Sequence, residues 1–266
     1  MKPAQQKWNA EDYRKNSSAQ QKWAQELIAK LALNGGESVL DIGCGDGSIS
    51  ARLARAVGSG NVLGIDQSED MIRHASEQYP SADYHNLSFL RMDARDIRLP
   101  ARFDVAFSNA VLHWIKNQGA VLRGVRACLK SGGRILFQMG GRGNADELFC
   151  IVEEMLQHPR WRRFYENFTS PYHFHGPEEY ETWLSESGFR PLRVELVPKD
   201  MEHEGTAGLT GWMRTTWFPY TDPLPAELRN IFLEEVIEAY TAAHPVDSLG
   251  NTHVKMVRLE VEACTL

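Results

Sequence analysis

The sequence predicts an α/β protein built on a mostly parallel sheet, and three observations predict it. Short apolar segments alternate with helical ones at a regular pace from residue 37 to 139. Those segments are mainly continuous apolar runs, as expected of strands buried on both faces. Four in succession also carry a polar side chain near the carboxyl end, Asp41, Asp66, Asp93 and Asn109, which is where ligands bind in open parallel sheets.

In order, "ESVLDI" (37–42) reads as a buried strand. "SISARLARAV" (48–57) reads as a helix, with Ile49, Leu53, Ala56 and Val57 at helical spacing. "NVLGID" (61–66) is a second strand, followed by the helix 68–79 with Ser68 as its N-cap. "LSFLRMD" (87–93) and "FDVAFSNA" (103–110) are the third and fourth strands. A helix near 117–130, a turn at "SGG" (131–133) and the strand "GRILFQM" (133–139) complete the unit. Past residue 140 the rhythm breaks. Two late strands, 190–199 and 254–265, are separated by helical patterning that includes 226–240. The domain expectation is an N-terminal helical segment at 1–34, a core at 35–140, and lid insertions at 141–189 and 200–250. The late strands at 190–199 and 251–266 complete the sheet.

A net charge of −6 and a pI near 5.9 disfavour nucleic acid as the main partner. No apolar run approaches the ~18 residues of a membrane span, and the first fifteen residues lack a signal-type apolar core. The cysteines Cys44, Cys128, Cys150 and Cys264 have no metal-type spacing. The expectation is a cytoplasmic protein with no membrane and no nucleic-acid partner.

The loop Asp41-Ile42-Gly43-Cys44-Gly45-Asp46-Gly47 carries the chemistry. A dinucleotide fingerprint needs a third glycine or alanine where Ser48 stands, and a phosphate loop needs G-K-[ST]. Asp41 and Asp46 would also repel a pyrophosphate. A ligand carrying cations and no phosphate fits better, and S-adenosyl-L-methionine (SAM) has an ammonium, a sulfonium and no phosphate. Asp41 can face its amino-acid end, Asp66 can accept both ribose hydroxyls, and Asp93 can accept from the adenine amino group beside the backbone of Ala94. The bland alternative is a plain strand–turn–helix with stray acids.

With the D-x-G-x-G-x-G loop at 41–47, Asp66 in "GIDQSEDM", Asp93 in "RMDARD" and the segment "FDVAFSNAVLHW", the chain resembles the class I, Rossmann-like, SAM-dependent methyltransferases over roughly 35–140. "Y-x-x-N-S-S-x-Q" near the start, "NAVLHW" and "GWMRTTWFPY" are similar to the trans-aconitate methyltransferase-like subgroup, which methylates small molecules. The resemblance implies a doubly wound seven-stranded sheet with the last strand antiparallel, and SAM as cofactor. It implies an N-terminal segment folded over the cofactor through Trp8, Tyr13 and Gln20. It places Asp41, Gly43, Cys44, Gly45, Asp66, Gln67, Met71, Asp93, Ala94, Asn109 and Ala110 against the cofactor.

The expected reaction is methyl transfer to a small-molecule acceptor, by O-methylation of a carboxylate. Such a nucleophile is ionised at neutral pH and needs no base. N-, C- or phenol O-methylation of a metabolite is the alternative, and a SAM-binding sensor or scaffold without turnover is a remoter one. Positioning candidates are His113 and Trp114, with a helix-capping role for His113 as the competing reading. Tyr172, His173 and His175 line up in "SPYHFH", where two histidines without a third ligand argue against a metal. Arg214, between Trp212 and Trp217, suits a carboxylate; the competing reading is a helix packing its tryptophans, with Arg214 solvated. Arg142 is a second cationic candidate.

Overall fold

A computed structural model describes residues 18–266, with side chains from Trp23 onward. The chain divides into two compact units. One comprises Gln20–Arg142, Tyr172–Val197 and Arg258–Leu266; the other contains Gly143–Pro171 and Pro198–Val257.

The first unit holds most of the sheet; the sixth strand past Val197 and the seventh before Arg258 fall in the second. Helix α1 (Ser18–Lys30) precedes β1 (Ser38–Ile42), α2 (Ser48–Ala56), β2 (Asn61–Asp66), α3 (Glu69–Gln78), β3 (Leu87–Arg91) and β4 (Phe103–Asn109). Then come α4 (Gln118–Cys128) and β5 (Leu129–Gly140). The strands β6 (Phe189–Glu204) and β7 (Asn251–Thr265) complete a seven-stranded sheet in the order β3-β2-β1-β4-β5-β7-β6. β1 to β5 pair in parallel, and β7 runs antiparallel to β5. The mostly parallel sheet read from the sequence is therefore the observed one.

The central strands are covered on both faces, which is why β1, β2 and β4 lack polar alternation, whereas the edge strands β3 and β6 are partly exposed. Val39, Val105, Phe107 and Leu136 pack with Leu27 of α1, Leu31 just past its end, and Leu53 of α2. Leu40, Ile42, Ala106, Ile135 and Phe137 pack the other way, with Val121, Leu122 and Val125 of α4. Tyr180 and Leu184 of α6 (Pro177–Glu186) join that second cluster. Successive residues of one strand thus enter opposite cores. Ser68 caps α3 by accepting from Met71 N–H at 3.3 Å, as its position predicts.

Two differences from the sequence reading stand out. The turn expected at 131–133 lies inside β5, where the pairing jumps from Phe103↔Leu129 to Val105↔Arg134 and Gly132 has φ +72°. The segment 172–189, expected in a lid, clusters with the sheet unit, where Tyr180 and Leu184 give α6 its buried face.

The second unit contains α5 (Asp146–Gln157), α7 (Gly205–Thr216), α8 (Phe218–Thr221) and α9 (Ala226–Ala243). Its core is aromatic. Trp161 is fully buried against Phe232 and donates Nε1–H to Glu235 at 2.7 Å. Trp217 packs on Phe149, Trp212 and Tyr220. No helix among the described residues is long and apolar enough to cross a membrane.

Candidate functional site

The chain leaves β1 through the glycine loop, whose shape follows from steric demands. Gly43 has φ +73°, and a Cβ there would lie 2.4 Å from the Val111 side chain. Only glycine gives this backbone without clash. Gly45, at φ +53°, differs: a Cβ there would meet nothing within 4 Å. The first glycine is needed for packing inside the protein, whereas the second borders open space. The loop is tied to β2 by N–H donation from Gly43 and Cys44 to Ile65 C=O, at 2.7 and 3.0 Å.

Three carboxylates surround the loop. Asp41 is buried and accepts from Ser50 Oγ–H at 2.6 Å. Burial pushes its pKa up to about 7; the Ser50 bond opposes this, and Asp66 and Asp46 add repulsion. Asp66, at the end of β2, accepts from Gly45 N–H at 3.1 Å on Oδ2 and from Ser68 N–H at 2.8 Å on Oδ1. Its pKa is also raised, by burial, against the pull of those bonds. Each oxygen keeps a further lone pair for a ligand hydroxyl. Cys44 is buried beside them, its thiol pushed well above the ordinary range by burial and then by Asp41.

Asp93 is arranged differently. It caps the short 3₁₀ turn Ala94–Asp96 and is gripped by its own neighbour, with Arg95 Nε–H donating at 2.9 and 3.0 Å. The Arg95 bond holds its pKa below the usual carboxylate range. Of the other expected cofactor contacts, Met71 is buried and Gln67 is exposed. Trp8 and Tyr13 lie outside the described residues. Gln20 falls in α1, but its side chain also lies outside them.

β4 ends at Asn109, whose buried Oδ1 has no hydrogen-bond partner among the described residues. Ala110 follows at φ +59° and donates its N–H to Gln138 C=O at 2.8 Å. The 3₁₀ turn Leu112–Trp114 then carries His113 inward. His113 Nδ1 accepts from Gly140 N–H at 3.2 Å, and its carbonyl accepts from His173 N–H at 2.8 Å. Burial, then the Arg258 guanidinium, holds its pKa well below 6.5. The structure brings His113, Trp114, Tyr172 and Phe174 into one aromatic cluster; Trp114 and Tyr172 centroids are 4.5 Å apart, and Tyr172 and Phe174 are stacked at 5.5 Å. His175 turns away to pack edge-on against Trp183.

The remaining cationic and aromatic candidates separate. Arg142 pairs with Glu178 and Glu179 in the first turn of α6. In the second unit Trp212 and Trp217 are buried and Arg214 is exposed, so the indoles do the packing there. Among the described residues His173 and His175 belong to no metal-type group; such a grouping is formed there by Asp200, Glu202 and His253, with ligand-type atoms within 4.8 Å of one another. Sequence reasoning did not find Ser50, Gly140 or Arg258. The first two act through partners nine and 27 positions away, and no local signal marks such pairs.

Comparison with known proteins agrees with this geometry. A methyltransferase-domain family model matches residues 33–188. A trans-aconitate 2-methyltransferase of Rhodopseudomonas palustris (strain BisA53) is 30% identical over 268 residues, spanning 96% of this chain and 98% of the relative. A methyltransferase of Schizosaccharomyces pombe, C70.08c, is 33% identical over 196 residues, covering 72% of this chain and 74% of its own length. Among solved structures, phosphoethanolamine N-methyltransferase 2 of Haemonchus contortus, in complex with S-adenosylhomocysteine, superposes with a TM-score of 0.61. It is 17% identical, with 96% of this chain and 57% of that one covered; this likeness concerns the fold alone. The strand order, the acid-flanked glycine loop and these matches lead to one conclusion: the chain is an enzyme of the class I SAM-dependent methyltransferases, in the trans-aconitate methyltransferase-like subgroup.

Proposed function

We propose that the enzyme transfers the SAM methyl group to a carboxylate oxygen of a small organic acid. The carrying observation is near full-length similarity to a relative named trans-aconitate 2-methyltransferase, which extends beyond the cofactor unit through the late insertions.

The residues fit the cofactor by the chemistry of their donors. Gly45 leaves the loop open to a ligand. Asp66 offers two oxygens for ribose hydroxyls, and Asp41 supplies negative potential for a cationic ligand. Asp93 and Ala94 are the adenine-side candidates, with Met71 as apolar wall and Gln67 at the rim. Gly43, Cys44, Asn109 and Ala110 frame the methionine end. When bound, SAM would supply a methyl group already activated by the sulfonium, and an ionised carboxylate acceptor would need no proton removed. The protein's part is to align the partners and exclude water. His113, Trp114, Tyr172 and His173 are acceptor-side candidates on the sheet unit, and Arg214 is the exposed cationic candidate on the helical one.

The test is a panel of small acids, trans-aconitate included, incubated with SAM carrying a labelled methyl group. A labelled product released by mild alkali is an ester and supports the reading. Label appearing only on amines, phenols or carbon overturns it in favour of the other acceptor classes.

A further inference from the structure

His113 carries a constraint that its sequence position does not show. Its Nδ1 faces the Gly140 backbone N–H at 3.2 Å. A backbone N–H can only donate, so Nδ1 must present a lone pair. Protonating that nitrogen would set two N–H groups against each other. The imidazole proton is therefore on Nε2, and the ring is held neutral in one tautomer. Gly140 is fixed in turn, as the last residue of β5 paired with Arg258 of β7. The ring is wedged among Trp114, Tyr172 and Phe174. The His113 carbonyl is held by His173 N–H, so the turn is pinned on the opposite side as well. The buried Arg258 guanidinium is the charge acting on the ring. Nε2–H makes no hydrogen bond among the described residues.

We propose that His113 is a fixed hydrogen-bond donor, presenting Nε2–H to one oxygen of the acceptor carboxylate while the other oxygen attacks, and that it cannot act as a general base. This rests on the carboxylate reading above. The lone pair a base needs is occupied by Gly140, and the free nitrogen already holds its proton. Amines and phenols, which must lose a proton, gain nothing from such a group. A carboxylate gains orientation, and Arg258 adds positive potential that favours an anion.

Two measurements test this, and the first needs no acceptor. In ¹⁵N-histidine NMR of the whole protein with S-adenosylhomocysteine, His113 should show protonated Nε2 and bare Nδ1, unchanged from pH 8 to pH 6. A protonated Nδ1, or titration near pH 6.5, overturns the proposal whatever the substrate. The second uses trans-aconitate, or the best acid of the panel. His113→Phe should lower kcat/KM by about 10- to 100-fold, the range of one hydrogen bond to a charged group. His113→Gln, which restores an N–H near the Nε2 position, should recover most of that loss. S-adenosylhomocysteine affinity should stay the same in both, and neither should change the slope of the pH profile. Wild-type kcat/KM in the Phe variant, or a unit-slope pH rise that vanishes in the Gln variant, overturns the donor role. If the panel yields no ester, the carboxylate reading fails and the donor role falls with it, while the tautomer is still decided by NMR.

Discussion

Asp41 should make cofactor affinity depend on pH near neutrality. Its carboxyl is buried with a pKa of about 7, held there by burial and by Asp66 and Asp46. Below that pH the group is neutral and offers a cation no attraction. A positive charge at roughly 6 Å, with an effective dielectric constant of about 20, is worth about 2.8 kcal/mol, or about two pKa units. The bound enzyme would then hold Asp41 near pKa ~5. Linkage between the two states makes affinity fall about tenfold from pH 7 to pH 5.5, and binding at pH 7 should release about half a proton. Throughout this window the ligand's own amino group, of pKa about 8, stays charged. The assay is titration calorimetry with S-adenosylhomocysteine and SAM in buffers of different ionisation enthalpy. Asp41→Asn, which imitates the neutral acid and can still accept from Ser50, should bind as weakly at pH 7 as the wild type does at low pH. It should also show a flatter profile. Parallel profiles for the two proteins, or no proton release, would refute the reasoning.

The loop glycines should separate by kind of damage. Gly43→Ala, with Cβ 2.4 Å from Val111, should destabilise the fold by about 2–5 kcal/mol in denaturant titration, combining left-handed strain with overpacking. Gly45→Ala, which meets nothing within 4 Å, should cost only the backbone strain of about 1–2 kcal/mol and show its main effect in cofactor affinity. Asp66→Ala should weaken S-adenosylhomocysteine at least tenfold, since charged hydrogen bonds to hydroxyls are worth about 1.5–3 kcal/mol each; unchanged calorimetric affinity would remove Asp66 from the site. His253 is bonded to Asp200 at 2.7 Å and to Asp247 at 3.1 Å, and these bonds raise its pKa. A raised folded-state value gives stability that is full below the unfolded pKa of about 6.5 and lost as pH rises through the folded one. His253→Gln should therefore lower Tm more at pH 6 than at pH 9; equal losses would count against the ion pairs.

How much of this was legible follows from the range of each interaction. The strands 61–66 and 103–109 show in the sequence because burial on both faces demands continuous apolar residues, a local pattern. The glycine loop and its acids show because backbone shape and charge are written into residue type. The place of 172–189 was not legible: α6 is held to the sheet unit by Tyr180 and Leu184, spaced i, i+4, which fits a lid helix equally well. The tryptophans of the second unit show the same ambiguity. Trp212 and Trp217 have the composition of a binding wall and the burial of a core, and only packing distinguishes the two.

His113 marks where residue type stops carrying chemistry. In sequence it is a histidine after a strand, equally suited to be a base, a cap or a donor. What separates these roles is one backbone N–H, supplied by Gly140 from the neighbouring strand. That bond exists because β4 and β5 run parallel with Asn109 opposite Gln138, bringing both carboxyl ends to the same edge of the sheet. A histidine held in this way can orient an anion but cannot deprotonate an acceptor. On the proposed donor role, the β4–β5 register therefore bears on the acceptor class. A change that shifts the β4–β5 register should alter which acceptors are used before it alters cofactor binding, because Asp66 and Gly45 hang on β1 and β2. Lengthening the irregular Lys130–Gly133 stretch by one residue and comparing acceptor kcat/KM with S-adenosylhomocysteine affinity tests that order; equal loss of both would refute it.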